Sequence, residues 1–387
     1  QEASPEAGAR LELVDWLLRE GPATPAEPRD AALTALQEER KRLEAGIEEP
    51  QRVMAMTDGT PEDSHVYIRG SHKSPGDLAP RRFLEAIDHA KQPIARGNSG
   101  RLELARRMTA PSDPLLYRVL VNRVWGHHFG EGIVRTPDDF GIRGDRPTHP
   151  ELLEYLTSEF MRGGGSLKAL HRMLVLSSTY QMSSRGDRRA VAADPQNKLL
   201  HHMPVRRLEA EAVRDTVLAV SGRLDRKLFG PSVQPHLTPF MEGRGRPAES
   251  GPLDGDGRRS IYISVRRNFL TPLFLAFDYP VPFTTIGKRS VSNVPAQALA
   301  LMNNPFLIDQ AGLWAKAILA EPGQTPRQRL TALYERAFTR PPTEAEVTAA
   351  LAFLEEQDRR YGAANDVRSW ADLCHVLMNT KEFIFIN

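Results

Sequence analysis

The feature that most constrains this fold is a helical pattern that persists from Arg101 almost to the C-terminus. Apolar residues recur there at three- and four-residue spacing, with helix-start residues ahead of the runs and glycine or proline between them. The pattern predicts helices over residues 114–129, 151–161, 166–178, 205–220, 295–302, 305–319, 326–338, 344–360 and 366–379. The predicted fold is therefore mainly α, a multi-helix domain with a few short β-strands and a long irregular loop.

Polar residues mark the starts of several of these helices. Thr148 and Glu151 have the spacing of a capping box, and Ser166 begins the next helix after a run of three glycines. The later helix caps are predicted at Asn304, Thr325 and Thr343.

Alternating apolar and polar residues predict the strands. The alternation is clear in HVYIRG (residues 65–70) and RRSIYISVRRN (258–268), and EFIFIN (382–387) is a third candidate. Residues 71–83 contain proline and glycine and are predicted to form an exposed connector. Residues 223–257 have no periodicity, which predicts a long loop or a lid.

Composition and charge argue against several classes of function. The formal net charge is +2 and no Lys/Arg-rich run is present, so the sequence does not favour a nucleic-acid partner. No apolar run approaches the roughly 18 residues that a membrane helix needs, so no membrane span is predicted. Cys374 is the single cysteine, which excludes an intrachain disulfide, a CxxCH haem attachment and a cysteine-built zinc site. We therefore predict no cofactor in this chain and leave its metal content open.

The densest group of functional side chains lies between Pro114 and Tyr180. His127 and His128 end one predicted helix, and His149 precedes the next, so these histidines are metal candidates with the nearby Asp138 and Asp139. The spacing matches no metal-binding template. Hydrogen bonding that only holds the loop together is the alternative interpretation.

Acid or base chemistry would draw on a second set of residues. The catalytic candidates are the carboxylates of Asp138, Asp139 and Glu209 together with the imidazole of His171. His171 falls on the apolar face of its predicted helix, where a buried structural histidine is the alternative.

Arginine dominates the basic residues of the chain, with 42 arginines and 9 lysines among the 51. Arginine suits bidentate contact with carboxylate, sulfate or phosphate, although a GC-rich genome produces the same bias. If distant arginine pairs converge, they would build an anion pocket; the alternative is a solvated charged face. The predicted ligand-binding residues are Arg123, Arg135, Arg143, Arg172, Arg206, Arg207, Arg266 and Arg267.

Several separated blocks carry a resemblance to a known family. NRVWGHHFGEGIVRTPDDFGIRGDRPTHPELLEYL, LHRMLVLSSTYQMSS, RRSIYISVRRN and VPAQALALMNNP follow one another in the chain. Together they resemble the C-terminal domain of unknown function in planctomycete cytochrome-associated proteins. The resemblance covers residues 80–387, and residues 1–79 are predicted to be the tail of a preceding uncharacterised domain plus a connector.

The resemblance implies an extracytoplasmic location and, as partners, upstream domains of the same polypeptide, among them a c-type cytochrome domain. It implies no established catalytic residue. Two hypotheses therefore stay open. The chain is either an accessory module that binds a polysaccharide or a partner domain, or a glycan-active hydrolase or lyase, metal-assisted or not, that uses paired carboxylates.

Overall fold

The computed structural model describes residues 31–46, 54–84, 93–94 and 98–386. Within these ranges it contains 14 α-helices and two small two-stranded sheets, which confirms a mainly α fold with a few short strands. The chain divides into two compact units, Gln1–Arg82 with Gln92–Gly100, and Phe83–Lys91 with Arg101–Asn387. Much of the predicted tail, residues 1–30 and 47–53, lies outside the described residues.

The described part of the first unit contains one helix and one hairpin. Helix α1 spans Ala31–Ala45, and strands β1 (Ser64–Tyr67) and β2 (Pro75–Ala79) pair antiparallel. The strand predicted at residues 65–70 is therefore confirmed in its first half. The predicted connector is exposed, but it contains β2, because the turn at Ile68–Gly70 returns the chain along β1.

The described part of the second unit begins with five helices. They are α2 (Arg101–Met108), α3 (Leu115–Phe129), α4 (Pro150–Arg162), α5 (Leu167–Val175) and α6 (Arg188–Ala193). Helices α3, α4 and α5 share an apolar core built around Val121, Phe129, Leu156, Phe160 and Leu170. The predicted helices at residues 114–129, 151–161 and 166–178 are confirmed, although α5 ends at Val175.

The rest of the second unit surrounds a larger core. Strand β3 (Arg206–Arg207) pairs antiparallel with β4 (Phe385–Ile386) at the end of the chain. The helices are α7 (Ala210–Ser221), α8 (Pro272–Ala276), α9 (Pro295–Asn303), α10 (Pro305–Leu319), α11 (Pro326–Phe338), α12 (Glu344–Tyr361), α13 (Val367–Met378) and α14 (Lys381–Ile384). Trp314 of α10 and Trp370 of α13 are almost fully buried in this core.

The three later helix caps are confirmed, and one earlier capping box is wrong. Asn304, Thr325 and Thr343 each accept a backbone N–H at a helix start, and the last two form complete capping boxes. The capping box predicted for Thr148 and Glu151 is wrong, because the Thr148 hydroxyl hydrogen-bonds to the Ile133 carbonyl and to the His149 ring.

Two further predictions are corrected by long-range contacts. The helix predicted from residue 205 begins only at Ala210, because Arg206 and Arg207 pair with β4. The strand predicted over residues 258–268 is wrong. A 3-10 turn at Ser260–Tyr262 replaces it, since α7 holds Ser260 through two hydrogen bonds to the Asp215 carboxylate.

The long irregular loop is confirmed. Over residues 223–257 its only helical element is the short turn Gly255–Gly257, with isolated bridges from Asp225 and Val233. None of the described helices is long and apolar enough to cross a membrane.

Candidate functional site

The loop that follows α3 is held by one buried amide. Asn122 has no exposed surface; its Nδ2 donates to the Val134 carbonyl at 2.9 Å, and its Oδ1 accepts from the Val134 N–H at 2.8 Å. Val134 is buried, so its backbone N–H and C=O cannot bind water. The two hydrogen bonds to Asn122 give each of these groups a partner. It positions the residues that lie between α3 and Val134.

Gly132 is packed directly against this amide. A Cβ added at Gly132 would lie 2.5 Å from the Val134 carbonyl oxygen and 2.6 Å from Asn122 Nδ2. We expect Gly132→Ala to lower the free energy of unfolding by about 2 kcal/mol, because either the loop or the buried amide has to move. Urea denaturation measures this loss. Gly312→Ala is the control, since no atom lies within 4 Å of its added Cβ, and equal losses in the two variants would contradict the expectation.

A small polar cavity opens beside this loop. Its volume is about 70 Å³, which is room for several water molecules or for one small charged group. Trp125 and Phe129 of α3 form its apolar side. The other lining residues are Glu131, Gly132, Arg135, Thr148, His149, Gln196, Asn197, Lys198, Leu200 and Pro204. We call this space the α3 cavity.

Asn197, one of the residues that line the α3 cavity, has a side-chain oxygen without a partner among the described residues. Its Nδ2 donates to the His202 carbonyl at 2.8 Å, but its Oδ1 is buried and has no hydrogen-bond partner within the described ranges. The backbone at Asn197 has a φ of 49°, in the left-handed region that asparagine tolerates better than most residues. The turn therefore maintains a buried acceptor without a described hydrogen-bond partner beside the α3 cavity.

The charges that line the α3 cavity are only partly balanced. Glu131 pairs with Lys288, and the Arg135 guanidinium lies 3.8 Å from the same carboxylate. Lys198 is exposed at the cavity and forms no ion pair with any described residue. The lining therefore provides two cations against one shared carboxylate.

A histidine pair lies at the same end of α3, outside the cavity lining. His128 Nε2 is 2.7 Å from His171 Nδ1, and the Tyr180 ring packs edge-on against His128 with 5.5 Å between centroids. Burial lowers the pKa of His128 below 6.5, and the neighbouring His171 and Arg206 lower it further. His171 itself is exposed, so the alternative of a buried core histidine is wrong.

Arg206 of β3 completes this group. Its Nη1 donates to the His127 carbonyl at the C-terminal end of α3, where a cation is favourable. Among the described residues no carboxylate lies within ion-pair distance of Arg206, and its Nε is buried without a partner. Burial lowers the pKa of this guanidinium. We call His128, His171 and Arg206 the histidine–arginine cluster.

The buried arginines do not build a shared anion pocket. Arg207 binds the Asp278 carboxylate and the carbonyls of Phe277 and Ser292. The Arg258 guanidinium donates to the Phe229 carbonyl and lies over the Tyr262 ring. These arginines bind internal acceptors and hold the long loop and the strand ends in place.

The other predicted arginines are distributed over the surface. Arg266 donates to the Gln234 side chain, and Arg267 lies over the Phe283 ring. The remaining three candidates, Arg123, Arg143 and Arg172, are exposed. Of the eight, only Arg135 lines the α3 cavity and only Arg206 belongs to the histidine–arginine cluster.

Each carboxylate proposed for acid or base chemistry has a structural contact. Asp138 Oδ2 accepts from the Gly287 N–H at 2.6 Å, and Asp139 Oδ1 accepts from the Gly141 N–H at 2.8 Å. Glu209 lies 3.2 Å from the Arg289 guanidinium. The structure describes no contact that joins any two of these three carboxylates in one recess.

The predicted metal ligands are not gathered either. His127 is exposed, His128 belongs to the histidine–arginine cluster, and His149 lines the α3 cavity. Throughout the described ranges, no group of three or more His, Cys, Asp or Glu side chains is arranged to hold a metal ion.

The sequence did not single out Asn122 or most of the cavity lining, namely Glu131, Gly132, Gln196, Asn197, Lys198, Leu200 and Pro204. The turn-forming DPQN run (residues 194–197) is a signal for an irregular, polar segment. Its proximity to α3 arises only from the packing of the first core of the second unit.

The fold and this region define a mainly helical protein with a polar cavity and an adjacent cationic cluster at one helix end. Residues 100–354 match the family described as PSD1, protein of unknown function (DUF1553). The chain belongs to this family, because the match covers most of its length. No curated protein and no solved structure is significantly similar to the chain.

Proposed function

We propose that this protein is an accessory binding module that holds an acidic unit of a polysaccharide in the α3 cavity. The observation that carries the proposal is the chemistry of the cavity lining. Arg135 and Lys198 supply cations, and Asn197, which lines the same space, has a buried Oδ1 without a partner among the described residues that a small side-chain rotation would present to a ligand. An acidic sugar presents the matching groups, a carboxylate or sulfate beside hydroxyl donors.

The size of the cavity sets how much of the ligand enters. A volume of about 70 Å³ takes one charged substituent and the edge of the sugar ring that carries it. Trp125 and Phe129 give that edge an apolar contact, as aromatic side chains do at most small-molecule sites. The rest of the polymer stays outside the protein.

Binding is preferred to glycan hydrolysis because of the carboxylates. Hydrolysis by the usual mechanism needs two carboxyl groups that flank one bond, separated by roughly 5 to 10 Å. Asp138, Asp139 and Glu209 each hold a backbone N–H or an arginine instead. These contacts therefore favour a binding function over a hydrolase or lyase.

The cellular setting of the proposal comes from the resemblance to planctomycete cytochrome-associated proteins. We propose an extracytoplasmic module that works with upstream domains of the same polypeptide, among them a c-type cytochrome. The module would keep a polysaccharide close to those domains and contribute no cofactor of its own.

Calorimetric titration of the purified chain with charged and neutral oligosaccharides tests the proposal. We expect binding of oligogalacturonate or of a sulfated oligosaccharide, and no binding of a neutral maltooligosaccharide. The double variant Arg135→Gln, Lys198→Gln should weaken binding about tenfold or more, since charge-assisted hydrogen bonds contribute roughly 1.5 to 3 kcal/mol. The matched control is Arg143→Gln, Lys168→Gln, which removes two exposed cations outside the α3 cavity.

Two results would contradict the proposal. One is the absence of binding by every acidic oligosaccharide. The other is equal affinity in the cavity variant and in its control, which would place the ligand elsewhere.

A further inference from the structure

We propose that His128, His171 and Arg206 form a second binding site, separate from the α3 cavity, for an oxyanion such as sulfate, and that the anion is bound together with a proton. The site does not require that the α3 cavity bind a glycan. None of the three side chains lines that cavity.

The spacing of the two imidazoles limits the protons that they can hold. At 2.7 Å, one ring must donate its N–H to the lone pair of the other. If both facing nitrogens carry a proton, neither can accept and the contact breaks. Because His171 is exposed on α5, its ring is free to turn outward when this happens. Two N–H donors are then available to one anion.

The groups that face His128 are neutral or cationic. His171 approaches from α5, Tyr180 from the segment after α5, Arg206 from β3, and His127 belongs to the same helix as His128. The nearest carboxylate that acts on Arg206 is Glu209, which lies 3.2 Å from Arg289. The described part of the chain therefore supplies no anion in contact with this cluster.

Arg206 adds a positive charge that does not depend on the protonation of the histidines. It is half-buried and donates through Nη1 to the His127 carbonyl, which holds the guanidinium in place at the end of α3. A placed cation that has no carboxylate partner is the usual component of sites for sulfate and phosphate groups.

The direction of the proton linkage follows from these contacts. Without an anion, burial, His171 and Arg206 lower the pKa of His128, so protonation of His128 beside its partner ring is disfavoured. A bound anion favours the charged form and raises that pKa. The affinity for the anion must therefore rise as the pH falls, because each ligand strengthens the binding of the other.

Isothermal titration with sodium sulfate tests this, because sulfate keeps its charge throughout the range used. Between about pH 7.5 and about pH 5.5 we expect the affinity to increase by up to about tenfold per pH unit. Titrations in two buffers with different ionisation enthalpies should show uptake of about one proton per sulfate.

Three variants distinguish this site from sulfate binding elsewhere on the protein. His171→Gln removes an exposed side chain and should abolish the pH dependence while weakening sulfate binding about tenfold at the lower pH. His127→Gln is the matched control, since it keeps the backbone carbonyl that binds Arg206 and removes only the weakest of the charges that act on His128, so the pH dependence should persist. Arg135→Gln, Lys198→Gln should bind sulfate with the wild-type pH dependence even when it has lost oligosaccharide binding.

The inference is wrong if sulfate affinity does not change with pH, or if His171→Gln behaves as wild type. It is also wrong if the cavity variant loses sulfate binding, because the anion then sits in the α3 cavity. If only oligosaccharide binding fails, the proposed function is wrong but the sulfate site is still supported.

Discussion

Replacing Arg214 by methionine lowers the free energy of unfolding by about 4 kcal/mol, the largest effect that we expect from a single charged residue in this protein. Arg214 is 4% exposed and lies on α7. Its guanidinium donates to the Arg258 carbonyl at 2.9 Å, to Ser260 Oγ at 3.1 Å and to the Asp254 carbonyl at 2.6 Å. Methionine fills a similar volume but leaves these buried acceptors without a donor.

The loss should appear in urea denaturation followed by circular dichroism. Arg223→Met is the matched control, because Arg223 is half-exposed and its ion pair with Asp254 lies at the surface. Such pairs contribute at most about 1 kcal/mol. A loss below that value for Arg214→Met would show that water replaces the guanidinium and that α7 does not hold the long loop.

Arg207→Met should lower the free energy of unfolding by about 3 kcal/mol near neutral pH, because it removes the donor from a partly buried carboxylate and from two backbone carbonyls. The Arg207 side chain is 3% exposed, and its Nη2 lies 2.8 Å from Asp278 Oδ2. Burial by itself would raise the pKa of Asp278, but hydrogen bonds from the Ser292 N–H, from Arg207 and from the Ser292 hydroxyl hold that pKa below its ordinary value. Without Arg207 the two hydrogen bonds from Ser292 remain, but the carboxylate loses the positive charge of the guanidinium.

The pH dependence gives this prediction a definite sign. In the wild type the folded pKa of Asp278 is depressed, so its stabilising contribution is complete above the unfolded pKa of about 3.9 and is lost as the pH falls through the folded value. In Arg207→Met we expect the pKa of Asp278 to be higher than in the wild type, so protonation relieves the unpaired charge at a higher pH. The difference between variant and wild type should therefore narrow as the pH falls below about 5.

Asp278→Asn provides the accompanying control. Adding it to Arg207→Met should restore part of the lost stability at neutral pH, since the neutral amide costs less to bury than an unpaired carboxylate. A strictly additive double variant would contradict the pairing. So would a loss for Arg207→Met that stays constant from neutral to acidic pH.

The helices were predictable because their signals are local. The capping boxes that begin with Thr325 and Thr343 involve residues three positions apart, so they form as soon as the helix does. The same is true of Ser166, whose side chain accepts the Ala169 N–H. Period and cap agree in these segments, and the structure adds only their packing partners.

The wrong predictions have a common cause, which is a contact with a residue outside the local pattern. Thr148 and Glu151 have the correct spacing, yet the threonine hydroxyl is taken by a carbonyl 15 positions earlier in the chain. The alternating residues from 258 to 268 suit a strand, but Arg214 and Asp215 of α7 bind the first of them, Arg258 and Ser260, instead. A contact across the fold outweighs a weak local preference in both places.

In the candidate site, too, some residues could be predicted from the sequence and others could not. The functional side chains between Pro114 and Tyr180 include Arg135, His128, His149 and His171. All four lie near the C-terminal end of α3, either in the α3 cavity or in the histidine–arginine cluster. Their partners Asn197 and Arg206 come from segments far along the chain, and no spacing signals that they meet. The sequence likewise does not distinguish Arg206, which has no carboxylate partner among the described residues, from its neighbour Arg207, which binds Asp278.

By itself the sequence determined a mainly helical protein, most of its helix boundaries and the stretch in which its functional side chains are concentrated, because helix periodicity and caps act within a few residues. The tertiary structure alone decided which charged side chains bind internal carbonyls and carboxylates and which stay available to a ligand. The physical reason is that a guanidinium or a carboxylate is satisfied by whichever group the packing of distant helices brings within hydrogen-bond distance, and that distance is not a local property of the chain.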